Sequence, residues 1–134
     1  MDVESIHRFL THDSYWAKGI SFDSVDKSLN HSFCVGAFIN GAQVGFSRVV
    51  TDYHTFGWLS DVYVLPEFRK RGISKSMLSY IMEQPWSKRL RRTMLNTSDG
   101  HGLYRQFGFK ELAFPARLME VHRPDVHLKQ SGEI

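Results

Sequence analysis

The chain has 134 residues, 42% of them hydrophobic and 23% charged, with a formal net charge of +3. That length suits one domain able to bury roughly two thirds of its unfolded surface, and the composition excludes a disordered polymer. A single cysteine, Cys34, excludes an internal disulfide and a cysteine-rich metal cluster. No apolar run is long enough to span a bilayer. Residues 1–10 carry Asp2 and Glu4 without an apolar signal core, so a cytoplasmic protein is expected. Positive charge gathers in two places, Arg69-Lys70-Arg71 with Lys75, and Lys88-Arg89 with Arg91-Arg92. Such clusters suit polyanions: nucleic acid, anionic lipid or a phosphorylated cosubstrate.

Ile6, Phe9 and Leu10 have helical spacing, and Phe22, Val25 and Leu29 suggest a second helix. The period then changes. Residues 33–39 and 44–51 are rich in strand formers and flank Asn40-Gly41, a pair suited to a type I′ hairpin turn. A turn at Asp52-Tyr53-His54 leads into a third strand over residues 56–65, which Pro66 ends because it cannot donate to a ladder. Ile73, Met77, Leu78, Ile81 and Met82 share one face of a helix that Pro85 stops near Gln84. A short strand is expected at 93–96, then a helix capped by Asp99 and running to about Phe107, with Gly108 just past its end. Two further strands are expected near 109–112 and 117–122, and a polar tail over 124–134. Together these elements predict a single α+β domain over residues 1–134, a mixed and mostly antiparallel sheet flanked by helices.

The chemistry concentrates between Trp58 and Met82. A strand there feeds a helix through Pro66-Glu67-Phe68-Arg69-Lys70-Arg71-Gly72-Ile73-Ser74. The first amides of a helix are unpaired and carry partial positive charge. Gly72 would let a phosphate approach the main chain, with Arg69, Arg71 and Lys75 adding charge around it. The same residues also fit a plain tight turn with a solvated basic face.

The stretch Leu59-Ser60-Asp61-Val62-Tyr63-Val64-Leu65-Pro66-Glu67-Phe68-Arg69-Lys70-Arg71-Gly72-Ile73-Ser74 resembles motif A of the GNAT superfamily of acetyl-CoA-dependent N-acetyltransferases. Arg69 and Gly72 match its Arg/Gln-x-x-Gly-x-Gly/Ala pattern, and Ser74 replaces the last small residue. Thr97-Ser98-Asp99-Gly100-His101-Gly102-Leu103-Tyr104-Arg105-Gln106-Phe107-Gly108-Phe109 resembles motif B, with its Leu-Tyr-x-x-x-Gly-Phe core. The resemblance implies a GNAT-like fold and direct acetyl transfer from acetyl-CoA to an amine within a ternary complex. It also implies that Arg69, Lys70, Arg71, Gly72, Ile73 and Ser74 hold the pyrophosphate, with Lys75 beside them. Val62, Tyr63 and Val64 would offer backbone groups to the pantetheine arm, an amide near Val64 would polarise the thioester carbonyl, and Thr97 would touch the arm. Tyr104 matches the position of the general acid for the departing thiolate; a phenol with a pKa of about 10 keeps its proton at pH 7.

Acceptor chemistry is less marked. Alternation along the third strand sets Leu59, Asp61 and Tyr63 on one face, which makes Asp61 the leading base or amine anchor, or else a structural ion pair. His54 and His101 are alternatives because imidazole titrates near neutrality. Tyr15, Trp16, Phe38 and Trp58 are candidates for lining an acceptor pocket. Cys34, in an apolar strand pattern, reads as a small buried hydrophobe. The remaining histidines have no ligand-like spacing, so no metal is expected. Competing readings are a silent CoA-binding module and a nucleic-acid-binding domain; for the latter, Phe68 and Trp86 are too few to build a stacking platform. The partners expected are therefore acetyl-CoA and an amine, without a membrane, in a chain that the resemblance allows to be a homodimer.

Overall fold

Asn40 and Gly41 adopt φ of +50° and +83°, the left-handed pair that a tight hairpin requires. They close β1 (Ser32–Ile39) onto β2 (Ala42–Thr51) in the computed structural model, which describes residues 1–128. The next turn is held by one side chain. The Asp52 carboxylate accepts from the Thr55 hydroxyl at 2.6 Å and from the backbone N–H groups of Thr55, His54 and Phe56, which keep it well below the usual carboxylate range. β3 (Phe56–Val64) follows, antiparallel to β2.

The sheet order is β1-β2-β3-β4, and β4 (Arg92–Met94) runs parallel to β3 after a crossover through α3 (Ile73–Met82) and α4 (Pro85–Arg89). On one face lie α1 (Val3–Arg8), a π-helical turn (Phe9–Asp13) and α2 (Phe22–Asn30). Their core holds Ile6, Leu10, Val25, Phe46 and Tyr63, with Tyr63 stacked on Phe9 at 3.9 Å. On the other face, α3 and α5 (His101–Arg105) cover Val49, Leu59, Leu78 and Ile81. The α+β architecture expected from the sequence is thus present.

β3 departs from simple alternation. Phe46 pairs with Tyr63 but Arg48 pairs with Ser60, so β3 carries one extra residue, and Asp61 in that stretch takes φ +56°. This β-bulge re-aims the strand. Leu59 and Val62 pack into the α3 layer, whereas Tyr63 joins the α1–α2 layer. The expectation that Leu59, Asp61 and Tyr63 share a face is therefore corrected.

Other corrections cluster near the C-terminus. Residues 109–112 and 117–122 form no strands; a 3₁₀ turn (Pro115–Arg117) lies between them, and Met119 is 96% exposed. Strand propensity needs a partner edge and an apolar surface to pack on, and neither meets this segment among the described residues. α5 ends at Arg105 and its N-cap is Gly100 rather than Asp99; the Thr97 hydroxyl accepts from the Gly100 N–H at 2.9 Å. α3 stops at Met82, because Pro85 opens α4 as its first residue. Of the tail, residues 126–128 make a helical turn that seats Leu128 against Gly19, and 129–134 lie outside the described residues.

Candidate active site

β3 and β4 pair only through Phe56↔Arg92, Gly57↔Thr93 and Trp58↔Met94. From Leu59 to Val64 the outer edge of β3 has no strand beside it among the described residues, so the two parallel strands part. Leu65 donates its N–H to Val44 on β2 at 2.8 Å. Antiparallel alternation then turns the N–H and C=O of Val64 the other way, into the gap, while those of Tyr63 face Phe46. Of the expected backbone donors, Val64 is aimed at the gap and Tyr63 is not. The Tyr63 side chain is also occupied: its phenol is buried beneath α1 and pushed up to about 12, chiefly by that burial.

The turn at the end of β3 has the character that the sequence suggests. Lys70 and Gly72 both take positive φ, +65° and +78°. A Cβ placed on Gly72 would meet nothing within 4 Å, so the approach to the main chain is open. The first hydrogen bond into α3 runs from Ser76 N–H to Gly72 C=O. The amides of residues 70–75 thus have no acceptor among the described residues, and no side chain caps the helix. Lys70, Ile73, Ser74 and Lys75 surround this row of donors. Two of the expected charges are partly diverted. Arg69 Nε donates to the Val64 C=O at 2.9 Å, pinning the turn to the strand end, and the Arg71 guanidinium lies 5.3 Å from the Phe68 ring. The set of oriented donors, open backbone and basic rim fits a pyrophosphate.

α5 packs Leu103 and Tyr104 into the α3 layer. Tyr104 is half-buried with its ring edge-on to Phe109 at 6.0 Å. Burial pushes its phenol up, with the Asp99 charge and Tyr15 adding to that. It therefore holds its proton through neutral pH, as a donor to a thiolate must. The Thr97 hydroxyl is engaged as acceptor for the lead-in to α5, so its visible role is to cap that segment.

Asp61 is 9% exposed and both of its oxygens accept hydrogen bonds. Trp16 Nε1 donates to Oδ1 at 2.7 Å and Arg48 Nε to Oδ2 at 2.6 Å; Arg48 Nη1 reaches on to the Ser32 hydroxyl. This is the ion pair that sequence reasoning held as the alternative to a base. Arg48 itself was missed; its signal is a lone charge in the middle of the apolar strand β2. Tyr15 and Trp16 meet edge to face at 5.0 Å, and the Ser98 hydroxyl donates to the Tyr15 hydroxyl at 3.1 Å. The other two candidate pocket aromatics lie elsewhere. Phe38 lines a cavity of about 580 Å³ between β1 and α3, on the far flank of that helix. Trp58 sits where β3 still pairs with β4. His54 lies at the start of β3, the strand end opposite the phosphate turn, and His101 is exposed at the start of α5. Burial raises the Cys34 thiol, in keeping with an inert side chain. Among the described residues no group of three or more metal-ligating side chains comes together. No helix among them is long and apolar enough to cross a membrane.

Comparison with known proteins agrees with this fold. The family model for the GNAT acetyltransferase domain matches residues 30–111. A candidate acetyltransferase of Gibberella zeae is 34% identical over 83% of this chain and 75% of its own length. A crystal structure of a candidate GNAT acetyltransferase from Xanthomonas campestris pv. campestris superposes with a TM-score of 0.93 at 46% identity, covering 95% of this chain and 89% of the other. A candidate acetyltransferase of Clostridium acetobutylicum, solved with acetyl-CoA, shares the fold at a TM-score of 0.68 and 17% identity, over 90% of this chain and 87% of the other. The chain belongs to the GNAT family of acetyltransferases, whose members transfer acetyl from acetyl-CoA.

Proposed function

We propose that this protein transfers the acetyl group of acetyl-CoA to the nitrogen of a primary amine by direct attack, with both substrates bound together. The observation that carries this reading is the row of unpartnered amides over residues 70–75, set at the end of β3 just where its outer edge becomes free. Those amides, with Lys70 and Lys75 at the rim, hold the pyrophosphate. The Val64 N–H, turned into the gap, donates to the thioester carbonyl oxygen as negative charge develops there. Nitrogen attacks the carbonyl carbon, the C–S bond breaks, and Tyr104 gives its phenolic proton to the departing sulfur. The amine loses one proton to solvent before attack and a second after it, and solvent returns a proton to the Tyr104 phenolate; Asp61, held by Trp16 and Arg48, takes neither. Asp61 is thus read as a positioning residue that anchors Trp16, and Thr97 as one that sets the start of α5.

Calorimetric titration with acetyl-CoA tests this reading, beside the analogue lacking the 3′-phosphate. Binding that Gly72→Trp abolishes, followed by turnover on a panel of primary amines, is the expected result. Binding to wild type that Gly72→Trp leaves intact would move the pyrophosphate away from the turn. Binding without turnover on any amine would make the protein a silent CoA-binding module.

A further inference from the structure

We propose that the surface where the turn at residues 52–55 meets α4 binds single-stranded nucleic acid, a second function that does not rest on acetyl transfer. In the sequence only Phe68 and Trp86 stand near the basic clusters; the fold adds Tyr80, Phe33 and Tyr53 to Trp86 in one connected row. Tyr80 on α3 lies nearly parallel to Phe33 on β1, with centroids 6.3 Å apart. Phe33 meets Trp86 edge to face at 5.0 Å, and Trp86 meets Tyr53 in the same way at 5.0 Å. Both ends of the row are open to solvent, Tyr80 at 55% exposure and Tyr53 at 38%.

The row has a firm backing. Phe33 and Trp86 pack on the core of the α3 layer, so the exposed rings at the ends rest on partly buried ones. Tyr53 takes φ +66°, a left-handed position that a bulky residue rarely adopts. The turn around it is held by the Asp52 carboxylate, which accepts from three backbone N–H groups and the Thr55 hydroxyl. Fixed aromatic rings at a surface offer faces on which bases of any sequence can stack.

Positive charge sits beside the rings. Residues 84–98 hold Lys88, Arg89, Arg91 and Arg92 and no Asp or Glu. All four cations are exposed, and none is in an ion pair among the described residues. They are joined to the turn that carries Tyr53: the Arg91 N–H donates to the Thr55 C=O at 3.2 Å, and Arg92 pairs with Phe56. The bordering carboxylates, Asp52 and Glu83, accept from the Thr55 and Ser79 hydroxyls. Cations attract any polyanion, but only a single strand brings phosphates and free base faces together; a duplex hides its bases, and a lipid headgroup makes no use of the rings. This surface lies at the start of β3, about 25 Å along the strand from the turn at its other end.

Fluorescence anisotropy separates charge from stacking. The probes are a labelled twelve-nucleotide oligothymidylate, an oligouridylate of the same length, and an abasic sugar-phosphate strand of equal charge. The better of the two base-bearing strands, which tells DNA from RNA, is expected to bind at least about 5-fold more tightly than the abasic one at equal ionic strength. Tyr53→Asn suits the left-handed backbone, and Tyr80→Ala changes an exposed helix position, so both variants keep the fold. Each is expected to weaken the base-bearing strand about 5-fold and to leave the abasic one unchanged. Arg91→Gln with Arg92→Gln should weaken all three strands and make the log–log salt slope shallower by about 1.4. Saturating acetyl-CoA should leave the binding curve in place. Equal affinity for base-bearing and abasic strands, or binding indifferent to both Tyr53→Asn and Tyr80→Ala, would overturn the proposal. So would displacement by acetyl-CoA, which would put the strand on the turn at 69–74. Binding to phosphatidylserine vesicles but to none of the strands would overturn it too, in favour of a membrane-facing surface.

Discussion

The two sides of the gap between β3 and β4 are built by different means. The side proposed to hold the pyrophosphate is main chain: consecutive residues 69–75, two left-handed backbone positions and a helix start. The opposite side is side chain. Trp16, Arg48, Asp61, Tyr15 and Ser98 come from four separated segments and meet through directed hydrogen bonds. A backbone site tolerates changes in the side chains around it but not added bulk at Gly72. A side-chain site fails piece by piece.

The strongest way to break this comparison is to strike the buried pair. Arg48→Met strands the Asp61 carboxylate and is expected to cost about 3–5 kcal/mol in urea unfolding, with most of it regained in the double variant Arg48→Met/Asp61→Leu. While the single variant stays folded, its acetyl-CoA affinity should hold within about 3-fold and the Trp16 indole resonance should move. Loss of acetyl-CoA binding from the folded protein would mean that the two sides are not independent. Next in size is Tyr104→Phe, expected to lower turnover about 10²-fold while acetyl-CoA binding stands. In wild type the alkaline loss of activity should come later than for an ordinary phenol, because the Tyr104 value is raised. Turnover untouched by Tyr104→Phe across the pH range would remove it from the mechanism.

A smaller effect tests local backbone encoding far from the gap. Gly41→Ala places a Cβ at φ +83° in the hairpin turn and should cost about 1–2 kcal/mol by thermal unfolding, although the space around it is empty. The smallest concerns Tyr63. Its folded value of about 12 exceeds the ordinary phenol value of about 10, so the folded state holds the proton more tightly. Its contribution is complete below about pH 10 and is lost as pH rises towards about 12. Stability should decline over that window in wild type and decline less in Tyr63→Phe; equal slopes would place the Tyr63 hydroxyl in water.

The same division explains what could be read from the sequence. Asn40-Gly41, Pro66, Gly72 and the apolar face of α3 act within a few residues of themselves, and each led to the right element. The strand-to-helix turn at 69–74 was legible for that reason. Arg48 and Asp61 find each other only once β2 and β3 pair, and nothing local to either residue announces the partner. The bulge was hidden because Asp61, not glycine, takes the left-handed position there. Residues 117–122 misled for the converse reason, since their apolar residues meet no neighbouring edge among the described residues.

That bulge has a consequence for how this strand tolerates change. The residues of β3 that point into one layer are spaced by three between Leu59 and Val62, where an ordinary strand would space them by two. Saturation mutagenesis along β3 would therefore show a stutter in its hydrophobic rhythm at Asp61, with Ser60 more permissive than Val62. Deleting Asp61 would restore the ordinary two-residue spacing with Leu59 and Val62 still in one layer, and would remove the carboxylate that holds Trp16 and Arg48.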